Sequence, residues 1–96
     1  MAFKRRLSDE EMRGHYILVS KKDLDYFPKI GRDFKLKVND KEYETRVETE
    51  ERWVTGPRKP QLLYLIKFTD FQSDFDFHYS KLITIEKTGD KLYELK

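Results

Sequence analysis

Hydrophobic positions along this chain fall mostly at every second residue. Phe34-Lys35-Leu36-Lys37-Val38 alternates strictly, the spacing of a strand with one face on a core and the other in water. Tyr43, Thr45, Val47 and Thr49 then alternate against Glu42, Glu44, Arg46 and Glu48. Asn39-Asp40-Lys41 between the two runs tolerates positive φ, so the pair predicts a hairpin. Lys35 and Lys37 on one strand can pair with Glu42, Glu44 and Arg46 on the other. Tyr16-Ile17-Leu18-Val19 is a compact apolar run that reads as a buried strand. Leu62-Leu63-Tyr64-Leu65-Ile66-Lys67-Phe68 is apolar on both faces and predicts a central strand. Leu82-Ile83-Thr84-Ile85-Glu86 and Leu92-Tyr93-Glu94-Leu95 predict two closing strands around a turn at Lys87–Lys91.

Two short helices interrupt this pattern. Ser8-Asp9-Glu10-Glu11 is a capping box, with three acids at the positive end of a helix dipole and Gly14 as a stop. Ser20-Lys21-Lys22-Asp23 is a second, weaker cap that places Leu24 and Phe27 on one face. Pro28 ends that helix and Gly31 permits a turn. Residues 1–7 are basic and read as a mobile terminus. The expected fold is therefore mainly β with two short helices, a small open or pseudo β-barrel of about six to seven strands. Residues 1–14 form a basic N-terminal arm with a short capped helix, and residues 15–96 form a single barrel domain.

Composition narrows the function. Ninety-six residues make one small domain, and 15% aromatic content lets its core rest on large rings. The absence of Cys excludes disulfides, thiolate catalysis and Cys-ligated zinc. No apolar run approaches the roughly 20 residues of a membrane span, and Met1 to Arg6 has no apolar segment behind its cations, so a cytoplasmic protein without membrane contact is expected. Charged residues make up 40% of the chain, with one Asn and two Gln, the habit of thermophile proteins. The net charge of +2 is unevenly spread. Residues 1–41 carry 11 Lys/Arg against 7 Asp/Glu, a balance of +4, and the remainder 9 against 11, a balance of −2. A polyanion site must then be a local patch, with its cations chiefly in the first half.

No catalytic pattern is present. His15 and His78 have no motif around them, and neither a P-loop nor a Gly-x-Ser-x-Gly occurs. Asp70, Asp74 and Asp76 do not fit an EF-hand loop, and Glu48, Glu50 and Glu51 lack an accompanying nuclease-like lysine. The expected protein is not an enzyme and uses no cofactor or metal. Segment 70–79 reads as a solvated acidic loop with Phe71, Phe75 and Phe77 turned inward; exposed phenylalanines would instead make it a protein-binding patch.

The chemistry that does suggest a role is cationic. Arg52-Trp53-Val54-Thr55-Gly56-Pro57-Arg58-Lys59-Pro60 holds the only Trp and two of three Pro, between two predicted strands. Prolines stiffen such a loop and reduce the entropy lost on binding. Arg58 and Lys59 at its tip can meet phosphate or base edges. Trp53 can stack on a base or pack at the loop's root, and Arg52 can contact a ligand or pair with Glu50 or Glu51. A second cationic group, Lys4, Arg5, Arg6 and Arg13, precedes the first apolar strand.

The order of elements resembles a known plan. Tyr16-Ile17-Leu18-Val19-Ser20-Lys21-Lys22-Asp23-Leu24-Asp25-Tyr26-Phe27-Pro28 resembles the strand, short helix and Phe-Pro of B3-type DNA-binding domains. The hairpin around Asn39-Asp40-Lys41 and the closing strands from Leu82 to Leu95 fit the same arrangement. The resemblance implies a seven-stranded pseudobarrel, as in plant transcription factors and restriction-enzyme recognition domains, that grips the major groove with two arms. It places one arm near Arg5, Arg6 and Arg13 and the other on Glu51 to Gln61. The acids Asp9, Glu10, Glu11, Glu48, Glu50 and Glu51 beside those arms depart from a plain basic grip.

The resulting expectation is a non-catalytic binder of double-stranded DNA that could serve as the recognition piece of a restriction or regulatory system. Its expected contacts are Lys4, Arg5, Arg6, Arg13, Arg52, Trp53, Arg58 and Lys59. Two other partners remain open. One is a protein docked on loop 70–79; the other is RNA, since a stacking Trp suits splayed bases.

Overall fold

The structure is a computed structural model that describes residues 2–52 and 61–96. Among the described residues eight strands form two sheets. Strands β1 (Ala2–Arg6), β7 (Leu82–Gly89), β8 (Leu92–Leu95), β3 (Phe34–Val38) and β4 (Lys41–Thr45) make a five-stranded sheet in that spatial order. Strands β2 (Tyr16–Val19), β6 (Gln61–Lys67) and β5 (Glu48–Arg52) make a three-stranded sheet with β6 in the centre. Helix α1 (Asp9–Gly14) joins β1 to β2, and 3-10 turns occupy Lys21–Tyr26 and Thr69–Phe71. The fold is mainly β with two short helices, as expected, and its two sheets do not close into a barrel.

Alternation along each strand builds the core. In β3, Phe34, Leu36 and Val38 are buried while Lys35 and Lys37 face water. Ile83 and Ile85 of β7 and Tyr93 and Leu95 of β8 continue the same inner face, and Ile17, Val19 and Ile66 meet it from the smaller sheet. Phe27, just after the Lys21–Tyr26 turn, packs among Phe3, Tyr26, Phe34 and Tyr93 at centroid distances of 5.3 to 5.7 Å. The outer face of the hairpin pairs Lys35 with Glu44 and Lys37 with Glu42, the charge complement its sequence predicts. Asn39 and Asp40 turn it with φ of 47° and 72°, the left-handed pair of a two-residue loop.

Two elements differ from expectation. The basic N-terminus is not a loose arm: Ala2–Arg6 pairs in antiparallel register with β7, Phe3 opposite Ile85 and Arg5 opposite Ile83. Buried Phe3 and Leu7 provide the reason, since they insert one side of this strand into the core. The single strand expected from Tyr43 to Thr49 is two strands. Thr45 and Val47 both point inward, so alternation runs on, but the chain leaves one sheet after Thr45 and enters the other at Glu48. A salt bridge from Arg46 to Asp33 at 2.6 Å and a hydrogen bond from the Gly31 amide to the Val47 carbonyl hold this corner.

The segment after β6 docks inward. Phe71 is buried, Phe77 stacks on Phe68 at 4.1 Å, and Phe75 packs partly against the core. Asp74 accepts hydrogen bonds from Tyr43 and Lys41, while its carbonyl accepts one from Asn39. The loop's phenylalanines thus complete the core and do not form the exposed patch that would mark it as a protein-docking site.

Candidate nucleic-acid interface

Helix α1 joins the strands on either side of it through a network of hydrogen bonds. Ser8 caps it in both senses of the box: its hydroxyl accepts from the Glu11 amide, and Glu11 Oε1 accepts from the Ser8 amide at 2.9 Å. Glu11 does more than a capping residue needs. Its carboxylate is fully buried, and Oε2 accepts from Arg5 Nε and from the Leu18 amide, each at 2.7 Å. Burial alone would raise its pKa, yet the hydrogen bonds from Arg5, Leu18 and Ser8 outweigh this and hold it below the ordinary glutamate value. One carboxylate therefore ties β1, α1 and β2 together. The capping pattern was legible in the sequence; the burial of Glu11 between two strands was not.

Helix α1 ends beside the smaller sheet. His15 takes the left-handed conformation, φ 59°, and caps the helix by donating its backbone N–H to the Glu11 carbonyl. The Tyr16 ring then lies back over Gly14, where an added Cβ would sit 2.1 Å from Cε2. That approach is possible only because Gly14 has no side chain. We expect Gly14→Ala to lower stability by about 1–3 kcal/mol, because the ring must leave a packed position. Urea unfolding measures this, and an unchanged midpoint would show that the ring relocates without cost.

Tyr16 carries the arrangement across to β5. Its hydroxyl accepts from Arg52 Nη2 at 3.2 Å, while Arg52 Nη1 forms a salt bridge with Glu10 of α1. Burial first, then the charges of Glu50 and Glu11, push the Tyr16 phenol up, so it stays neutral. Arg52 therefore pairs not with its neighbours Glu50 or Glu51 but with a residue 42 positions earlier. An open cleft of about 860 Å³ lies between α1 and the outer face of β5 and β6. Arg13, Arg52 and Lys67 line it together with Glu10, Glu48 and Glu50, over a floor of Tyr16 and Leu65. Lys67 stands 3.9 Å from Glu48, a neighbour that strand pairing decides and sequence reading missed.

The expected contact residues occupy distinct places. Lys4 and Arg6 lie on the outer, exposed face of β1, and Arg6 donates to the Ser80 carbonyl at 2.9 Å. Arg5 faces inward and is bound to Glu11. Arg13 is exposed at the end of α1 and pairs with Asp9. Trp53, Arg58 and Lys59 lie outside the described residues. The described residues on either side of them, Arg52 and Gln61, pair in register as part of β5 and β6. The roots of the two cationic segments thus meet, at the contact between Arg52 and Glu10.

His15 packs edge-on against Phe68, and His78 stands 3.9 Å from Asp76. Among the described residues no group of three His, Cys, Asp or Glu side chains is arranged to hold a metal ion. No helix among them is long and apolar enough to cross a membrane.

The molecule is thus a two-sheet, mainly β domain whose short capped helix meets the end of a hairpin in a mixed-charge cleft. Among solved structures it is similar to the N-terminal domain of Helicobacter pylori LlaJI.R1, with a TM-score of 0.64 and 10% sequence identity over 99% of this chain and 84% of that one. At that identity the likeness is one of fold. No protein-family model and no curated protein matches the chain.

Proposed function

We propose that this chain is a non-catalytic, B3-like cytoplasmic domain that binds double-stranded DNA in the major groove between two arms. The observation that carries the reading is the Arg52–Glu10 contact, which sets the root of segment 53–60 against the basic β1–α1 unit. In this reading Arg58 and Lys59 reach phosphate or base edges, and Trp53 supports them. Lys4, Arg6 and Arg13 supply the second grip, while Arg5 acts chiefly through Glu11 by fixing the strand that carries its neighbours. The solved neighbour is an N-terminal domain. This supports a role as the recognition piece of a larger restriction or regulatory system.

Binding across a salt series tests the reading. Each phosphate contact contributes about 0.9 to the slope of log K against log salt. Arg58→Ala/Lys59→Ala should flatten the duplex slope by about one to two relative to the unaltered chain. Failure to bind any duplex at low salt sinks the proposal, and tighter binding to single-stranded RNA transfers it to that partner.

A further inference from the structure

We propose that Glu10 is a gate on Arg52, suppressing indiscriminate attachment to phosphate backbones; this rests on the DNA-binding reading above. Among the described residues both guanidinium groups lining the cleft are already held by helix carboxylates, Arg52 by Glu10 and Arg13 by Asp9. Both acids sit in the first turn of α1, where the positive end of the helix favours them. They are therefore placed by local helix chemistry and used by the tertiary fold. The Glu10–Arg52 pair is partly exposed, 46% and 35% at the side chains, so it is weak enough to exchange. A phosphate must displace Glu10 to reach Arg52, and the repulsion between the two anions lowers the gain. Contacts that do not face a carboxylate in this way then carry a larger share of recognition. The acids that count against DNA binding in a tally of charge become the means of discrimination.

A double-mutant cycle on random-sequence duplex tests the gate. Glu10→Gln should raise affinity about two- to fivefold, the scale of an exposed ion pair. It should also steepen the salt slope by about 0.9, as one more phosphate is engaged. In an Arg52→Gln background the same substitution should change neither. Urea unfolding of all four proteins checks that each is folded, which the exposure of both side chains leads us to expect. An equal rise in both backgrounds makes Glu10 a general repulsive charge and overturns the gate. So does an unchanged affinity in Glu10→Gln when the unaltered chain binds duplex, and in that case the DNA-binding reading stands. If neither the unaltered chain nor Glu10→Gln binds duplex at low salt, the functional reading itself fails and takes the gate with it.

Discussion

Glu11→Ala should lower the unfolding free energy by about 3–5 kcal/mol, a large part of the 5–15 kcal/mol that holds a typical domain together. The substitution removes the acceptor for the Arg5 guanidinium and for the amides of Ser8 and Leu18. Those groups are part-buried, so each lost bond leaves a donor that water only partly satisfies. Arg5 retains 31% side-chain exposure, which places the expected cost toward the lower end of the range. Glu11→Gln keeps the shape but turns an amide NH₂ toward donors, so it should fall between alanine and the unaltered chain.

The effect carries a pH signature. The folded carboxyl has a pKa below its unfolded value. Its contribution is therefore complete above the unfolded value of about 4.3 and is withdrawn as pH falls through the lower folded value. The stability gap between the unaltered chain and Glu11→Gln should be constant from neutral pH down to about 5 and narrow in more acid solution. Urea unfolding at pH 7, 5 and 3.5 measures it. A gap that widens on acidification would mean that the buried carboxyl is neutral in the folded protein.

Phe27→Ala should cost a similar amount, about 3–5 kcal/mol, by a different route. Phe27 is 5% exposed and touches four aromatic rings that come from β1, β3, β8 and the preceding 3-10 turn. Removing it opens a cavity that four separate elements would have to close together, and close packing leaves them little room to do so. Each kcal/mol corresponds to about 4–8 °C in a domain of this size, so thermal unfolding reads the loss directly. Phe27 does not line the α1–β5–β6 cleft, so where Phe27→Ala remains folded the salt slope of duplex binding should match the unaltered chain. A changed slope would show that the core and the cleft are coupled.

These residues mark the limit of what the sequence conveys. Phe27 was legible as sharing a face with Leu24 in a short helix ended by Pro28, and its place among rings from three strands was not. The turn of the β3–β4 hairpin is one residue shorter than Asn39-Asp40-Lys41, since Lys41 pairs with Val38, but the hairpin was legible in its faces and its charge pairing, because strict alternation fixes both. The N-terminal strand was not, because Lys4, Arg5 and Arg6 hide the alternation of Phe3 and Leu7 behind charge. The division of residues 43–49 between two sheets was equally invisible, since period two specifies a face and says nothing of which strand lies alongside.

The sequence by itself determined a small, mainly β domain, a capped helix at Ser8 and the two cationic segments, because each follows from interactions among residues near in the chain. Only the tertiary structure decided that Glu11 is a buried clasp, that Arg52 answers to Glu10, and that the roots of the two segments meet. Those outcomes depend on how strands far apart in sequence pack, and charge balance alone does not choose among the carboxylates available to a guanidinium. Distance in the folded chain makes that choice.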